Sequence, residues 1–275
     1  MRDLIDAAER RLADAGVETP RLDAELLLAA AMGTGRPEVV SGLAPDPTPE
    51  QIAWFDDCVE RRAEREPVAY IKGVIGFRRI MLHVDRRVLI PRPETELLVA
   101  VTKVDRPCGI LDVATGSGAV ALALADELPD ATITAVDISD DALDVARANA
   151  RTLGFDRRVS FARSDLLDSV DGAFDAIAAN LPYVRSADIA GLQPEITRYE
   201  PVAALDGGED GLELVRRLAA QAPAHLKPGG MLALEIGDDQ APATEAILRG
   251  AGFADVETHQ DLAGRDRVMS GRVPA

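Results

Sequence analysis

The sequence predicts a doubly wound α/β fold behind a small amino-terminal helical domain, and three observations carry that prediction. Beyond Cys108, short apolar runs alternate with segments of helical period, the pattern of a mainly parallel sheet covered by helices on both faces. The first of those runs, residues 110–114, opens into Thr115-Gly116-Ser117-Gly118 and then a helix. Glycines there let the backbone approach a ligand, and a helix N-terminus attracts negative charge. Upstream of Pro67 the apolar residues recur at helical spacing instead. A chain of 275 residues is long enough for one large domain and a smaller one. The expected division is 1–72 for the helices, 73–90 for a β-hairpin linker and 91–275 for the α/β domain.

Taken in order, Leu4, Ile5, Ala8 and Leu12 make residues 2–15 an amphipathic helix that stops at Gly16. Thr19-Pro20 reads as an N-cap with proline at the first helical position, opening a helix through Leu22, Leu26 and Ala29. Thr48-Pro49 repeats the signal for a third helix, which turns Ile52, Phe55, Cys58 and Val59 inward and ends before Pro67. Its charge run, residues 60–66, reads as the solvated face. Trp54 and Phe55 read as core packing, with a partner-binding patch as the alternative. Residues 68–71, 80–84 and 87–90 are short β-rich segments and read as the hairpin region. Pro91-Arg92-Pro93-Glu94-Thr95-Glu96 then opens a helix through Leu97, Leu98 and Val101. Seven strands are expected at 110–114, 132–136, 159–162, 174–179, 231–236, 254–259 and 267–273. Helices cover 119–128 and 140–153, the second capped by Ser139.

Composition narrows the function. The net charge is −17 and the isoelectric point about 4.6, whereas nucleic-acid binders need basic patches that displace counterions. No direct nucleic-acid contact is therefore expected. Cys58 and Cys108 stand far apart and His83, His225 and His259 are isolated, so neither a metal site nor a disulfide framework is implied, and a reducing cytoplasm fits. No run approaches the ~20 apolar residues of a membrane span, and the amino terminus lacks the apolar core of a secretory signal. A monomer is expected.

Two stretches carry the chemistry. An α/β sheet binds ligands outside the carboxyl ends of its strands. The Gly116-x-Gly118-x-x-Ala121 turn follows the first strand, and Asp137 ends the second, 19 positions beyond Gly118. An acid there binds ribose hydroxyls of either a dinucleotide or S-adenosylmethionine. Asp112 inside the first strand, Ser164-Asp165-Leu166 after the third and Asn180 after the fourth are the features that discriminate. Asn180-Leu181-Pro182-Tyr183 follows the buried run 174–179. The Asn180 side-chain oxygen and the Leu181 carbonyl, held extended by Pro182, offer two acceptors for a planar amino or amide group, and Tyr183 offers a flat face. Asn-x-Pro also ends strands routinely.

With these residues in place, the sequence resembles the class I S-adenosylmethionine-dependent methyltransferases, and within them the HemK-like release-factor glutamine methyltransferases. The resemblance runs from about Glu66 to the carboxyl terminus. It rests on Pro67-Val68-Ala69-Tyr70-Ile71, the stretch 88–96, Thr115-Gly116-Ser117-Gly118, Asp137-Ile138-Ser139, Tyr199-Glu200-Pro201, the stretch 204–211 and the stretch 261–267. It implies a seven-stranded methyltransferase sheet, a helical domain that recognises substrate, S-adenosylmethionine as cofactor and a peptide chain release factor as partner. By position, Ala114, Thr115, Gly116, Ser117 and Gly118 would line the methionine end of the cofactor, Asp137 would hold the ribose, and Asp165 with Leu166 would flank the adenine. Asn180, Leu181, Pro182 and Tyr183 would bind the glutamine side chain, with Asn180 also beside the cofactor. Two positions depart from the family pattern. Ala114 stands where glycine is usual, tolerable if its φ is negative, and Leu181 stands where proline is usual. Asn-Leu-Pro-Tyr is also similar to the motif of ribosomal RNA adenine-N6 dimethyltransferases. An adenine-N6 methyltransferase is thus the runner-up, and a non-catalytic nucleotide-cofactor-binding protein or an NAD-dependent oxidoreductase are readings from other classes.

Overall fold

Helical spacing and turn residues shape the first part of the chain into α1 (Arg2–Asp14), α2 (Pro20–Met32), α3 (Arg36–Ser41), α4 (Pro49–Ala63) and α5 (Val68–Lys72) in the computed structural model, which describes residues 1–103 and 108–275. Ile5, Ala8, Leu12, Leu27, Leu28, Phe55 and Cys58 form the core of this helical unit. Thr48 closes a capping box with Gln51 at the head of α4. Phe55 is buried as expected, whereas Trp54 keeps 41% of its surface exposed.

The helical unit spans Met1–Val74 and also takes in Gln193–Tyr199, a segment the sequence assigned to the α/β domain. That segment holds α9 (Pro194–Tyr199), and charge explains its place. Arg62 is buried and donates to Asp23 at 2.7 Å, while Glu195 accepts from Arg62 at 2.8 Å and Arg65 at 2.7 Å. Buried charges of this kind persist only when paired, so Glu195 completes the set.

Two short segments differ from their expected β character. Residues 68–71 form α5, because Pro67 takes an N-cap conformation and Gly73 stops the chain at φ 71° after one turn. Residues 87–90 form no strand: the Asp85 carboxylate takes the Arg87 N–H, the Asp85 carbonyl takes the Val88 N–H, and Glu200 takes the Ile90 N–H. The hairpin consists instead of β1 (Val74–Phe77) and β2 (Ile80–His83).

The second unit, Ile75–Leu192 with Glu200–Ala275, is built on one sheet. After α6 (Thr95–Thr102) come β3 (Gly109–Val113), α7 (Ala119–Glu127), β4 (Thr132–Asp137), α8 (Asp140–Leu153), β5 (Val159–Arg163) and β6 (Phe174–Ala179). Then follow α10 (Glu213–Gln221), β7 (Leu226–Glu235), α11 (Ala241–Gly250), β8 (Ala254–Gln260) and β9 (Asp266–Arg272). The order is β5-β4-β3-β6-β7-β9-β8, parallel throughout except for β9, which runs antiparallel to β7 and β8. β6 is buried along its whole length, as a parallel strand covered on both faces must be. The chain winds outward from β3 in one direction and from β6 in the other, so the topological switch point lies between them.

Candidate functional site

Register assembles the site. Val113 pairs with Val136 and with Ala179, and Ala179 pairs with Leu234. The next residues along these strands, Asp137, Ala114, Asn180 and Glu235, therefore leave the carboxyl edge side by side, in that order.

On the β3 side the glycine turn is held by buried carboxylates. Asp112 accepts from the Thr115 hydroxyl at 2.6 Å and from the Ala121 N–H at 3.1 Å, and burial pushes its carboxyl up to about 7 against those two donors. Asp137 accepts the Gly116 N–H and the Ser139 N–H, each at 2.9 Å, and burial raises its carboxyl as well. Each of its oxygens has a second lone pair left for a hydroxyl. Asn149 donates to the Ser117 carbonyl at 2.9 Å and exchanges two hydrogen bonds with the His83 backbone, tying the turn to β2.

Gly116 and Gly118 stand at φ 55° and 84°, and a Cβ at Gly116 would meet nothing within 4 Å. Ala114, however, sits at φ 59°. The condition for tolerating alanine there fails: the residue holds a left-handed conformation that costs about 1–2 kcal/mol with a Cβ, which is the physical reason glycine suits the position. After β5, Leu166 is buried at φ 49°, and Asp165 accepts from Arg217 at 2.8 Å on the surface.

On the β6 side, the Asn180 Nδ2 donates to the Thr95 hydroxyl oxygen at 3.2 Å. Its Oδ1 and the Leu181 carbonyl accept no hydrogen bond among the described residues. The Leu181 side chain is 2% exposed and packs in the core beneath β6 and β7. The Tyr183 hydroxyl lies 3.5 Å from Glu235 Oε1, and burial first, then the Glu235 charge, pushes its phenol up to about 12.

The backbone of this motif is clamped from behind. Val184 N–H donates to Leu205, Gly207 N–H donates to Val184, and Gln240 donates to the Tyr183 carbonyl. A Cβ on Gly207 would lie 2.6 Å from the Pro182 carbonyl and one on Gly211 2.3 Å from the Tyr183 carbonyl, so glycine is required where the stretch 204–211 passes. Glu200 joins two further motifs, accepting from Arg92 at 2.5 Å and from the Ile90 N–H.

The structure thus brings Ala114, Thr115, Gly116, Ser117, Gly118, Asp137, Asn180 and Leu181 to one edge of the sheet. Thr95 and Glu235 belong to the same edge and were not singled out in the sequence. Glu235 had the same signal as Asp112, a lone carboxylate inside a buried run.

Residues 3–73 match the family model described as the PrmC N-terminal domain, and residues 110–200 match a methyltransferase domain. Proteins named release factor glutamine methyltransferase are similar over nearly the whole chain. That of Caulobacter vibrioides is 43% identical, covering 96% of this chain and 93% of its own. That of Rhodospirillum rubrum is 45% identical over 98% and 84%, and that of Geobacter sulfurreducens 40% identical over 99% and 96%. Among solved structures, a methyltransferase from Pyrococcus furiosus superposes with a TM-score of 0.55 at 18% identity over 70% of this chain and 89% of its own. The ribosomal protein L11 methylase of Lactobacillus delbrueckii subsp. bulgaricus gives 0.51 at 24% identity over 67% and 81%. These two likenesses speak for the fold alone.

Proposed function

This chain belongs to the release factor glutamine methyltransferases, and from that premise we propose that it transfers a methyl group from S-adenosylmethionine to the side-chain amide nitrogen of the glutamine in the Gly-Gly-Gln motif of a peptide chain release factor. The observation that carries the reading is the pair of free acceptors, Asn180 Oδ1 and the Leu181 carbonyl, one strand away from the open glycine turn.

The residues present fit the cofactor. The turn at Gly116 has room for a ligand, the N-terminus of α7 suits a carboxylate, and Asp137 keeps acceptors for ribose hydroxyls. When bound there, S-adenosylmethionine supplies an electrophilic methyl group. Asp165 and Leu166, after β5, are assigned to the adenine.

An amide nitrogen is a poor nucleophile because its lone pair is delocalised into the carbonyl, so this chain's contribution is geometric and electrostatic. Asn180 Oδ1 and the Leu181 carbonyl accept the two amide N–H bonds and aim the nitrogen towards the glycine turn after β3. Alignment of that kind contributes up to about 7–11 kcal/mol in favourable cases. The same two acceptors stabilise the positive charge that grows on the nitrogen, and release of one of its protons to water leaves the neutral N-methyl amide. Pro182 and Tyr183 keep the carbonyl in position through the clamp formed by 204–211 and Gln240.

Purified protein, S-adenosylmethionine and a release factor test the reading. Mass analysis of the Gly-Gly-Gln peptide is expected to show one added methyl group on glutamine. An unmodified peptide, with methylated adenine in naked RNA instead, would replace this function with the adenine-N6 alternative.

A further inference from the structure

Glu235 is the titratable group at the carboxyl edge for which methyl transfer itself has no use. It is 2% exposed at the end of β7, and its Oε2 has no hydrogen-bond partner. Thr95, the first residue of α6, places its hydroxyl against this carboxyl and favours its charged form. The oxygen of the same hydroxyl receives the Asn180 Nδ2–H bond at 3.2 Å.

A hydroxyl has one proton and two lone pairs, and a primary amide has a donor end and an acceptor end. When the Thr95 proton is directed to Glu235, Thr95 can only accept from Asn180. The Asn180 amide then points its Nδ2 at Thr95 and its Oδ1 away. Were the Thr95 proton free to turn towards Asn180, the amide could rotate and present N–H bonds to a substrate nitrogen that itself offers N–H bonds. Donor would face donor, and the alignment would be lost.

We propose that Glu235 and Thr95 are positioning residues for methyl transfer: together they hold the Asn180 amide with its oxygen towards the substrate nitrogen. The proposal rests on the glutamine-methylation reading above. It explains why a carboxylate stands at the end of the buried apolar run 231–234, and why α6, which begins within the stretch 88–96, starts with a buried hydroxyl residue.

The relay depends on the charge of Glu235. Burial pushes this carboxyl up to about 7, the Thr95 and Tyr183 hydroxyls and Arg267 from β9 favour the charged form, and Glu94, just before α6, opposes it. Protonated Glu235 can donate to Thr95 and release the Thr95 proton towards Asn180. Transfer at saturating substrates therefore weakens as pH falls through this range.

The experiment compares wild type with Thr95→Val, Thr95→Ser and Glu235→Gln, measuring single-turnover transfer to a release factor from pH 6 to 9, KM for the release factor and affinity for S-adenosylhomocysteine. Thr95→Val, which keeps the shape and loses the hydroxyl, is expected to slow transfer about tenfold or more while KM and S-adenosylhomocysteine affinity stay near wild type. Thr95→Ser restores the rate, and Glu235→Gln is slower at high pH and lacks the acid limb. A structural role alone would leave that limb in place. Should Thr95→Val fail to fold, the near-isosteric Glu235→Gln decides by itself, since it removes a buried charge. Wild-type rates in Thr95→Val, or an unchanged acid limb in Glu235→Gln, overturn the proposal. A wild-type protein that methylates no release factor overturns the functional reading, and the two failures are told apart within the same experiment.

Discussion

Gly116 and Gly118 lie two residues apart in the turn after β3, yet the structure gives them different work. Both hold positive φ, so alanine at either costs about 1–2 kcal/mol of backbone strain, partly offset by about 0.4–1 kcal/mol from the restricted unfolded chain. At Gly118 the new methyl would also stand 3.0 Å from Leu122 Cδ1 and 3.3 Å from Ala146 Cβ. The leucine end can move, but Ala146 is fixed on α8, so crowding adds about 1 kcal/mol. Gly118→Ala is thus expected to destabilise the fold by about 1–3 kcal/mol. At Gly116 the methyl meets nothing within 4 Å and enters the open side of the turn. Gly116→Ala is expected to lose about 0–1.6 kcal/mol of stability, and to weaken S-adenosylhomocysteine binding tenfold or more where the ligand must approach the backbone, a change of about 1.4 kcal/mol. Urea unfolding and calorimetry on both variants separate the effects. Unchanged S-adenosylhomocysteine affinity in Gly116→Ala would refute the assignment of this turn to the cofactor, and wild-type stability in Gly118→Ala would refute the packing argument.

Leu181→Pro restores the usual family residue and keeps the carbonyl, but removes a side chain that is almost fully buried. It is expected to leave transfer near wild type and cost about 1 kcal/mol of stability by urea unfolding. A collapsed rate with intact fold would mean the carbonyl is not held as argued. Asp112 and Glu235 are both raised by burial to about 7, from 3.8 and 4.5. The folded state binds more protons than the unfolded state between those values, so their contribution is fully present below about pH 4 and is lost progressively as pH rises through 7. Urea midpoints are expected to show higher stability at pH 5.5 than at 7.5 by on the order of 2 kcal/mol, with a smaller difference in Glu235→Gln. The opposite gradient would contradict the burial argument.

The central strands of the main sheet were legible because buried parallel strands appear in sequence as continuous apolar runs, as in residues 174–179. Short segments were less legible. Residues 68–71 are apolar and partly β-branched, which suits a strand, and only the flanking Pro67 and Gly73 mark the single helical turn that forms. Gly35, Pro37 and Gly42 similarly frame α3, which the apolar spacing alone did not disclose.

The positions proposed for the site were legible where one residue type stands at a strand end, as for Asp137 and Asn180. Contacts between distant segments were not legible. Thr95 reaches Asn180 across 85 positions, and the glycines of 204–211 matter because backbone carbonyls of Pro182 and Tyr183 lie where their side chains would be. The left-handed φ at Ala114 likewise follows from the turn that Asp112 and Asp137 hold, which no local pattern declares.

The central claim is that Asn180 acts on the substrate nitrogen through its side-chain oxygen. Single-turnover transfer to a release factor, with saturating S-adenosylmethionine and release factor, tests it most directly in Asn180→Ala. Loss of one preorganised acceptor is expected to slow transfer by about 10²–10³-fold. Transfer within a few-fold of wild type would remove Asn180 from the mechanism, and with it the account of how this edge of the sheet activates an amide.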